Sequence, residues 1–293
     1  QISVRTAKDP VDETRSAREI GADFGANYVL RGRLHKTIDR IQVTAELFNA
    51  SENKAVWLET FDQSIMDFPN LQTEIAEKVL KVLTVELTIA ERQRISRAYT
   101  ENSEAYQLYL VGRYQMRSRR AENLRAAIET FERAKEKDPK FVLAYVGLAD
   151  AYALLNLYAI PPPNGAYAEA KKNALRALEL DDSVAEAQAS LAYILFYGDW
   201  NRTEAEKHFR RAIELNPSYS TAHHWFALAL AAMGKHEESI EQIDRAVLLE
   251  PRSAVIYSAA GLVYYFAHRY DDALKMCRKS LEIDPRFVPA YKT

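Results

Sequence analysis

The sequence predicts two folds in succession: a small α+β layer with helices packed on one sheet face, incomplete at its start, and then an all-α array of stacked helix pairs. Three observations predict this. The segment-closing residues Pro139, Asp182, Pro217, Pro251 and Pro285 recur down the last two-thirds of the chain, and the final two intervals are both 34 residues. Between Tyr28 and Leu47 the apolar period is instead two. On either side of that stretch the apolar residues return to helical spacing.

Taken in order, an initial strand is expected through Ile2 and Val4, followed by an amphipathic helix from about Asp12 to Phe24 that carries Ala17, Ile20 and Phe24 on one face. Tyr28, Leu30 and Leu34 then share one strand face. After a turn at Ile38-Asp39-Arg40, the residues Ile41, Val43, Ala45 and Leu47 share another, so the pair reads as a β-hairpin. A polar turn, Ser51 to Lys54, leads to a third strand from Ala55 to Phe61, with Trp57 and Phe61 on one side. A longer helix from about Asn70 to Ala98, with Leu71, Ile75, Val79, Val82 and Leu87, completes the layer.

Counting back from each closing residue, small or apolar residues recur with one spacing. They are Ala127, Phe131 and Ala134; Ala170, Ala174 and Ala177; Ala205, Phe209 and Ala212; Ser239, Ile243 and Ala246; and Ala273, Cys277 and Ser280. Small residues at these places let paired helices approach closely. First helices carry a matching set: Tyr145, Leu148, Ala149 and Tyr152, then Leu191 and Ala192, then Phe226, Ala227 and Leu230, then Tyr257, Gly261 and Tyr264. The second unit is stretched by an insertion, Leu157 to Gly165, whose prolines 161 to 163 exclude helix and predict a stiff projection. It reads either as a packed connector or as a lip over one end of a groove.

Over residues 103 to 286 this pattern resembles the tetratricopeptide repeat family, five units long, with the start of a sixth at 287 to 293. The segments Tyr28 to Gly32, Val43 to Leu47, Trp57 to Asp62 and Leu71 to Ala76 resemble the domain similar to the amino-terminal domain of TolB, over residues 1 to 98. That family begins with an apolar strand, a polar loop and a helix that are missing here, so a truncated domain with one unpaired sheet edge is expected. The resemblance implies the regulatory part of a larger bacterial signalling or transcription-regulating protein. The alternative is the sensor or autoinhibitory segment of a nucleotidyl cyclase or protein kinase whose catalytic domain lies upstream.

In the repeat family the inner curve is lined by fixed positions of the first helices. Carried onto this sequence, these place Asp150, Tyr193, Phe196, Tyr197, His224, Leu228 and Tyr265 in a candidate groove for a protein or peptide partner. The lysine and asparagine of a carboxylate clamp are absent from their places, where Val146, Ala189, His224 and Ser258, and Asp150, Tyr193, Leu228 and Leu262, stand instead. An apolar segment, such as a helix laid in the groove, suits the lining better.

No enzymatic activity, cofactor or metal is expected. The nine glycines form neither phosphate-cradling motif. His223 and His224 are neighbours that point about 100° apart on a helix and chelate one ion poorly. His236-Glu237-Glu238 lacks a second histidine four residues on, and is read as solvated charge in a turn. Asp181-Asp182 is read as turn or cap chemistry, Asp182 standing where the repeat has its proline. A net charge of -2, with no basic tract, speaks against nucleic acid. One cysteine, Cys277, excludes an intrachain disulfide and falls at a buried packing position. No apolar run reaches the ~18 residues of a membrane span; the compartment is left unknown, with the cytoplasm favoured and the extracytoplasmic portion of a membrane-anchored regulator left open.

Overall fold

The computed structural model describes residues 15–37, 40–64, 68–84, 88, 97, 99–158 and 164–292. The expected first strand, the hairpin turn at 38–39, most of the segment 85–98 and the Ala159 to Pro163 part of the insertion lie outside the described residues. The described residues fall into two compact units: Arg15–Arg117 with Glu129–Ala144, and Ser118–Ile128 with Tyr145–Lys292. This division falls within the helical repeats.

In the first unit, helix α1 (Ala17–Phe24) is started by a capping box. The Ser16 hydroxyl accepts the Glu19 N–H at 3.2 Å while the Glu19 carboxylate accepts the Ser16 N–H at 2.7 Å. Strands β1 (Tyr28–Lys36), β2 (Arg40–Asn49) and β3 (Lys54–Ser64) form an antiparallel sheet in that order. Ile41, Val43, Ala45, Leu47 and Phe61 are buried on one face beneath Leu71 of helix α2 (Phe68–Val82), with Trp57 and Ile75 at the margin. Lys78 bridges α2 back to the sheet, pairing with Glu59 and standing 4.8 Å over the Phe61 ring. Leu30 pairs with Leu47 and Leu34 with Val43, so all four point to one face. Yet Leu30 and Leu34 are 48% and 57% exposed, because α2 packs on β2 and β3 and leaves β1 uncovered. The described helix α2 is also shorter than expected, with Thr84 at φ +50° just beyond its end.

Helix α3 (Ser103–Gln115) meets the sheet layer through Tyr106, whose hydroxyl donates to the Gln72 side-chain carbonyl at 2.6 Å. Asn102 caps α3 by accepting the Ala105 N–H. Gly112 of α3 lies against the Phe131 ring of helix α4 (Ala121–Lys137), where a Cβ would come within 2.5 Å of a ring carbon.

The second unit holds antiparallel helices in sequence: the last part of α5 (Val142–Tyr158), then α6 (Ala166–Leu180), α7 (Ala185–Tyr197), α8 (Arg202–Leu215), α9 (Ser220–Ala232), α10 (His236–Leu249), α11 (Ala254–Phe266), α12 (Tyr270–Ile283) and the short α13 (Pro289–Lys292). First helices α7, α9 and α11 are apolar nearly all round, as befits helices enclosed by neighbours. Second helices are amphipathic, and the predicted small positions Ala205, Phe209, Ala212, Ser239, Ile243 and Ala246 are fully buried. Where the small residue is serine, its hydroxyl donates to a first-helix carbonyl: Ser239 to Ala227 and Ser280 to Ala254, both at 2.7 Å. Burial pushes the Cys277 thiol pKa upward.

Units close alike. Asp181, Asn216 and Asp284 each accept the N–H two residues on, at 3.0, 3.1 and 2.9 Å. The turn aspartate of the second unit is thus Asp181, and Asp182 is exposed. In the fourth unit Glu250 stands here, and its buried carboxylate accepts from the Ser220 hydroxyl. On the second-helix surface, Arg210 reaches Glu206 of its own helix and Glu238 of α10, while Lys235 returns to Glu206 at 2.7 Å. Such exposed pairs contribute about 0–1 kcal/mol each.

The turn inside each pair holds one residue in the left-handed region. Trp200, Gly234 and His268, at intervals of 34, have φ of +56°, +75° and +59°. A side chain there costs about 1–2 kcal/mol that glycine escapes. Trp200→Gly is therefore expected to raise stability by about 1 kcal/mol, since the indole is 72% exposed and loses little packing. Urea melts of the two proteins check this, and a lower midpoint for the variant would contradict it.

Candidate functional site

The seven candidate residues all lie on first helices of the second unit, but with unequal access. Asp150 on α5 is 3% exposed and accepts the Ser190 hydroxyl of α7 at 2.5 Å, a buried interhelical bond that occupies its carboxylate. Tyr193 and Phe196 on α7 are each 4% exposed. The Tyr193 ring lies 4.6 Å from Tyr197 and 4.7 Å from Trp225 of α9, and Tyr197 lies 4.9 Å from Phe196. These rings form one aromatic block. Its hydroxyls are poor acids here: burial, then the Tyr167 hydroxyl, pushes Tyr197 up to about 12, and burial raises Tyr193 and Tyr167 as well.

His224 on α9 is buried, and Leu228 is partly buried beside the core formed with α11. The adjacent His223 packs within its own unit, one ring nitrogen 2.7 Å from Gln242 and the other 3.1 Å from the Pro217 carbonyl. The two imidazoles do not converge on a shared ion. Among the described residues no three histidine, cysteine or carboxylate side chains are grouped to hold a metal. His236, Glu237 and Glu238 open α10 instead of lying in a turn, with the acids in its first helical turn and Glu238 held by Arg210.

Tyr265 is different. It is 48% exposed at the end of α11, 5.9 Å from Phe266 and 5.7 Å from Tyr270 of α12, both also exposed. Of the candidate set, then, Tyr193, Phe196 and Tyr197 form one packed block, and Tyr265 belongs to a separate open cluster with Phe266 and Tyr270. Trp225 and Tyr270 were absent from the sequence-derived set. Trp225 sits one place beside His224, off the positions that line the inner curve, and Tyr270 opens a second helix.

Among the described residues no helix is long and apolar enough to cross a membrane. The tetratricopeptide repeat family model matches residues 118–159, 197–247 and 226–286. The chain is similar to the protein named "Putative adenylate cyclase 3" of Rhizobium meliloti (strain 1021), 26% identical over 236 residues, which are 78% of this chain and 33% of that protein. It is also similar to the transcriptional regulator HilA of Salmonella typhimurium, 23% identical over 174 residues, 58% of this chain and 30% of the relative. The chain thus spans about a third of the length of either relative. Among solved structures, a thermophilic TPR protein of Thermus thermophilus aligns at a TM-score of 0.50 with 23% identity, over 64% of this chain and 92% of that one.

Proposed function

From the premise that the helical part of this chain is a tetratricopeptide repeat array, we propose that it is a non-enzymatic protein-interaction module whose first-helix surface takes a peptide segment of another protein. The observation that carries the reading is the open cluster of Tyr265, Phe266 and Tyr270, whose rings are exposed where those of Tyr193 and Phe196 are sealed. Large rings with few rotatable bonds and polar tips are the composition of an interface hot spot. The likeness to an adenylate cyclase and to a transcriptional regulator, in each of which the matched stretch is about a third of the length, supports placing the module in the regulatory part of a larger bacterial signalling protein. The same cyclase likeness favours a second reading, a sensor or autoinhibitory segment serving a catalytic domain upstream. The resemblance of residues 1 to 98 to the TolB amino-terminal-like domain fits either setting.

Peptides selected from a displayed random library against the protein provide the test. Tyr265→Ala combined with Tyr197→Phe, which keeps the packed ring and removes only its hydroxyl, is expected to weaken the selected peptides by about tenfold or more. The variant is expected to melt as cooperatively as its parent. Undiminished binding, or a library that yields no binder, overturns the reading.

A further inference from the structure

Two guanidinium groups of the second unit lie on aromatic rings, and each is also held by acids. Arg210 covers Phe226 from 5.1 Å while Glu206 and Glu238 hold it at 2.7 and 2.6 Å. Arg269 covers Tyr264 from 4.8 Å while Asp272 holds it at 2.6 Å. The π-face of a ring is electron-rich and attracts a cation, and the carboxylate completes the neutralisation. The open cluster at the end of α11 has rings and an acid without the cation. Tyr265 meets Phe266 at 64° between planes and Tyr270 at 60°, and the His268 ring meets Tyr270 at 77° with its Nδ1 2.9 Å from the Tyr270 hydroxyl. None of these rings is stacked flat on another and all four are exposed, so π-face is left open to solvent. His268 brings its ring here from a left-handed turn position, φ +59°, that Gly234 fills in the preceding unit without strain.

The charges of the same segment indicate the ligand. From Tyr265 to Asp272 they are Arg269, Asp271 and Asp272. Arg269 and Asp272 satisfy each other, whereas Asp271, next in the chain to Tyr270, is exposed and has no ion pair among the described residues. One negative charge is therefore left unopposed beside the rings. Resting on the reading of this cluster as a peptide-binding one, we propose that its occupant is an arginine side chain of the bound segment, laid on the Tyr265 and Tyr270 rings with Asp271 as its counter-charge. A planar guanidinium stacks on a ring and sheds water more readily than the compact ammonium of lysine. Both ring-and-cation contacts described in the second unit use arginine in the same way. An acidic segment would meet Asp271 with like charge.

The test uses twelve-residue peptides selected from a displayed library against the full chain, with affinities measured by fluorescence anisotropy. Enriched peptides are expected to share an arginine, whose change to glutamine weakens binding by about tenfold and to lysine by about threefold. Tyr270→Leu removes a ring but keeps apolar bulk at an exposed helix start. It is expected to melt close to the parent's temperature, bind the same peptides about fivefold more weakly, and lose most of the preference for arginine over glutamine. Tyr270→Phe keeps the ring and is expected to bind within about twofold of the parent. Asp271→Asn is expected to weaken the arginine peptides by about threefold and to leave their glutamine counterparts unchanged. Peptides that share no arginine, Tyr270→Leu binding within about twofold of the parent, or a loss for Tyr270→Phe as large as that for Tyr270→Leu would overturn the proposal. Should Tyr270→Leu melt early, equal effects of Asp271→Asn on arginine and glutamine peptides would overturn it instead. If binding depends on Tyr265 but no arginine is shared, the arginine site is wrong and the interaction surface stands; if no peptide is enriched, both fall.

Discussion

Phe209→Ala is expected to destabilise the second unit by about 3–5 kcal/mol. Phe209 is fully buried on α8, and Phe226 of α9 is 1% exposed. Their rings stack at 5.3 Å with 24° between planes, and the Arg210 guanidinium covers Phe226 from 5.1 Å. Alanine in place of Phe209 would leave a cavity flanked by Ala205 and Ala212, residues with no side chain long enough to collapse into it. Phe209→Leu keeps most of the volume and is expected to cost less, about 1–2 kcal/mol. Because each repeat is stabilised by its own packing and that of its neighbours, the alanine variant is also expected to unfold with a broadened urea transition. A loss below about 1 kcal/mol would show that the third and fourth units do not share this contact.

Phe209 illustrates what was legible in the sequence. Its place follows from the spacing Ala205, Phe209, Ala212, Pro217, because close helix approach is a local demand that recurs in every unit and so leaves a periodic trace. Access to the candidate surface left no such trace. Tyr193, Phe196 and His224 occupy first-helix positions that line the inner curve in the repeat family, yet each is nearly sealed, since α7 and α9 are apolar on every side and enclosed by the helices before and after them. Alternation grouped Leu30 with Leu34 and Val43 with Leu47, and the strand pairing puts the two groups on one sheet face. Whether a helix covers that part of the sheet depends on where α2 lands, which alternation does not encode. Left-handed turn residues were missed for a further reason: glycine announces such a backbone, and Arg119, Trp200 and His268 do not.

Gly261→Ala is expected to cost about 1–3 kcal/mol by itself and much less once Cys277 is alanine as well. Gly261 on α11 faces Cys277 on α12, and a Cβ built on the glycine would sit 2.4 Å from the Cys277 sulfur, well inside contact distance. The sulfur cannot readily withdraw, because Cys277 is 8% exposed and packed at the position that Phe131, Ala174, Phe209 and Ile243 hold in the other units. With the sulfur removed, the nearest atoms to the new methyl are the Ala273 carbonyl oxygen at 3.3 Å and the Cys277 backbone nitrogen at 3.6 Å, distances that a small shift accommodates. Urea melts of the two single variants and the double variant therefore form a cycle, and a favourable coupling of about 1 kcal/mol or more is expected between the two sites. Additive losses would mean that α11 and α12 are spaced more widely than the close pairing requires. A full rescue would establish that the small first-helix residue and the residue facing it are chosen together, the larger ring of Phe131 against Gly112 being the same compromise in the first unit.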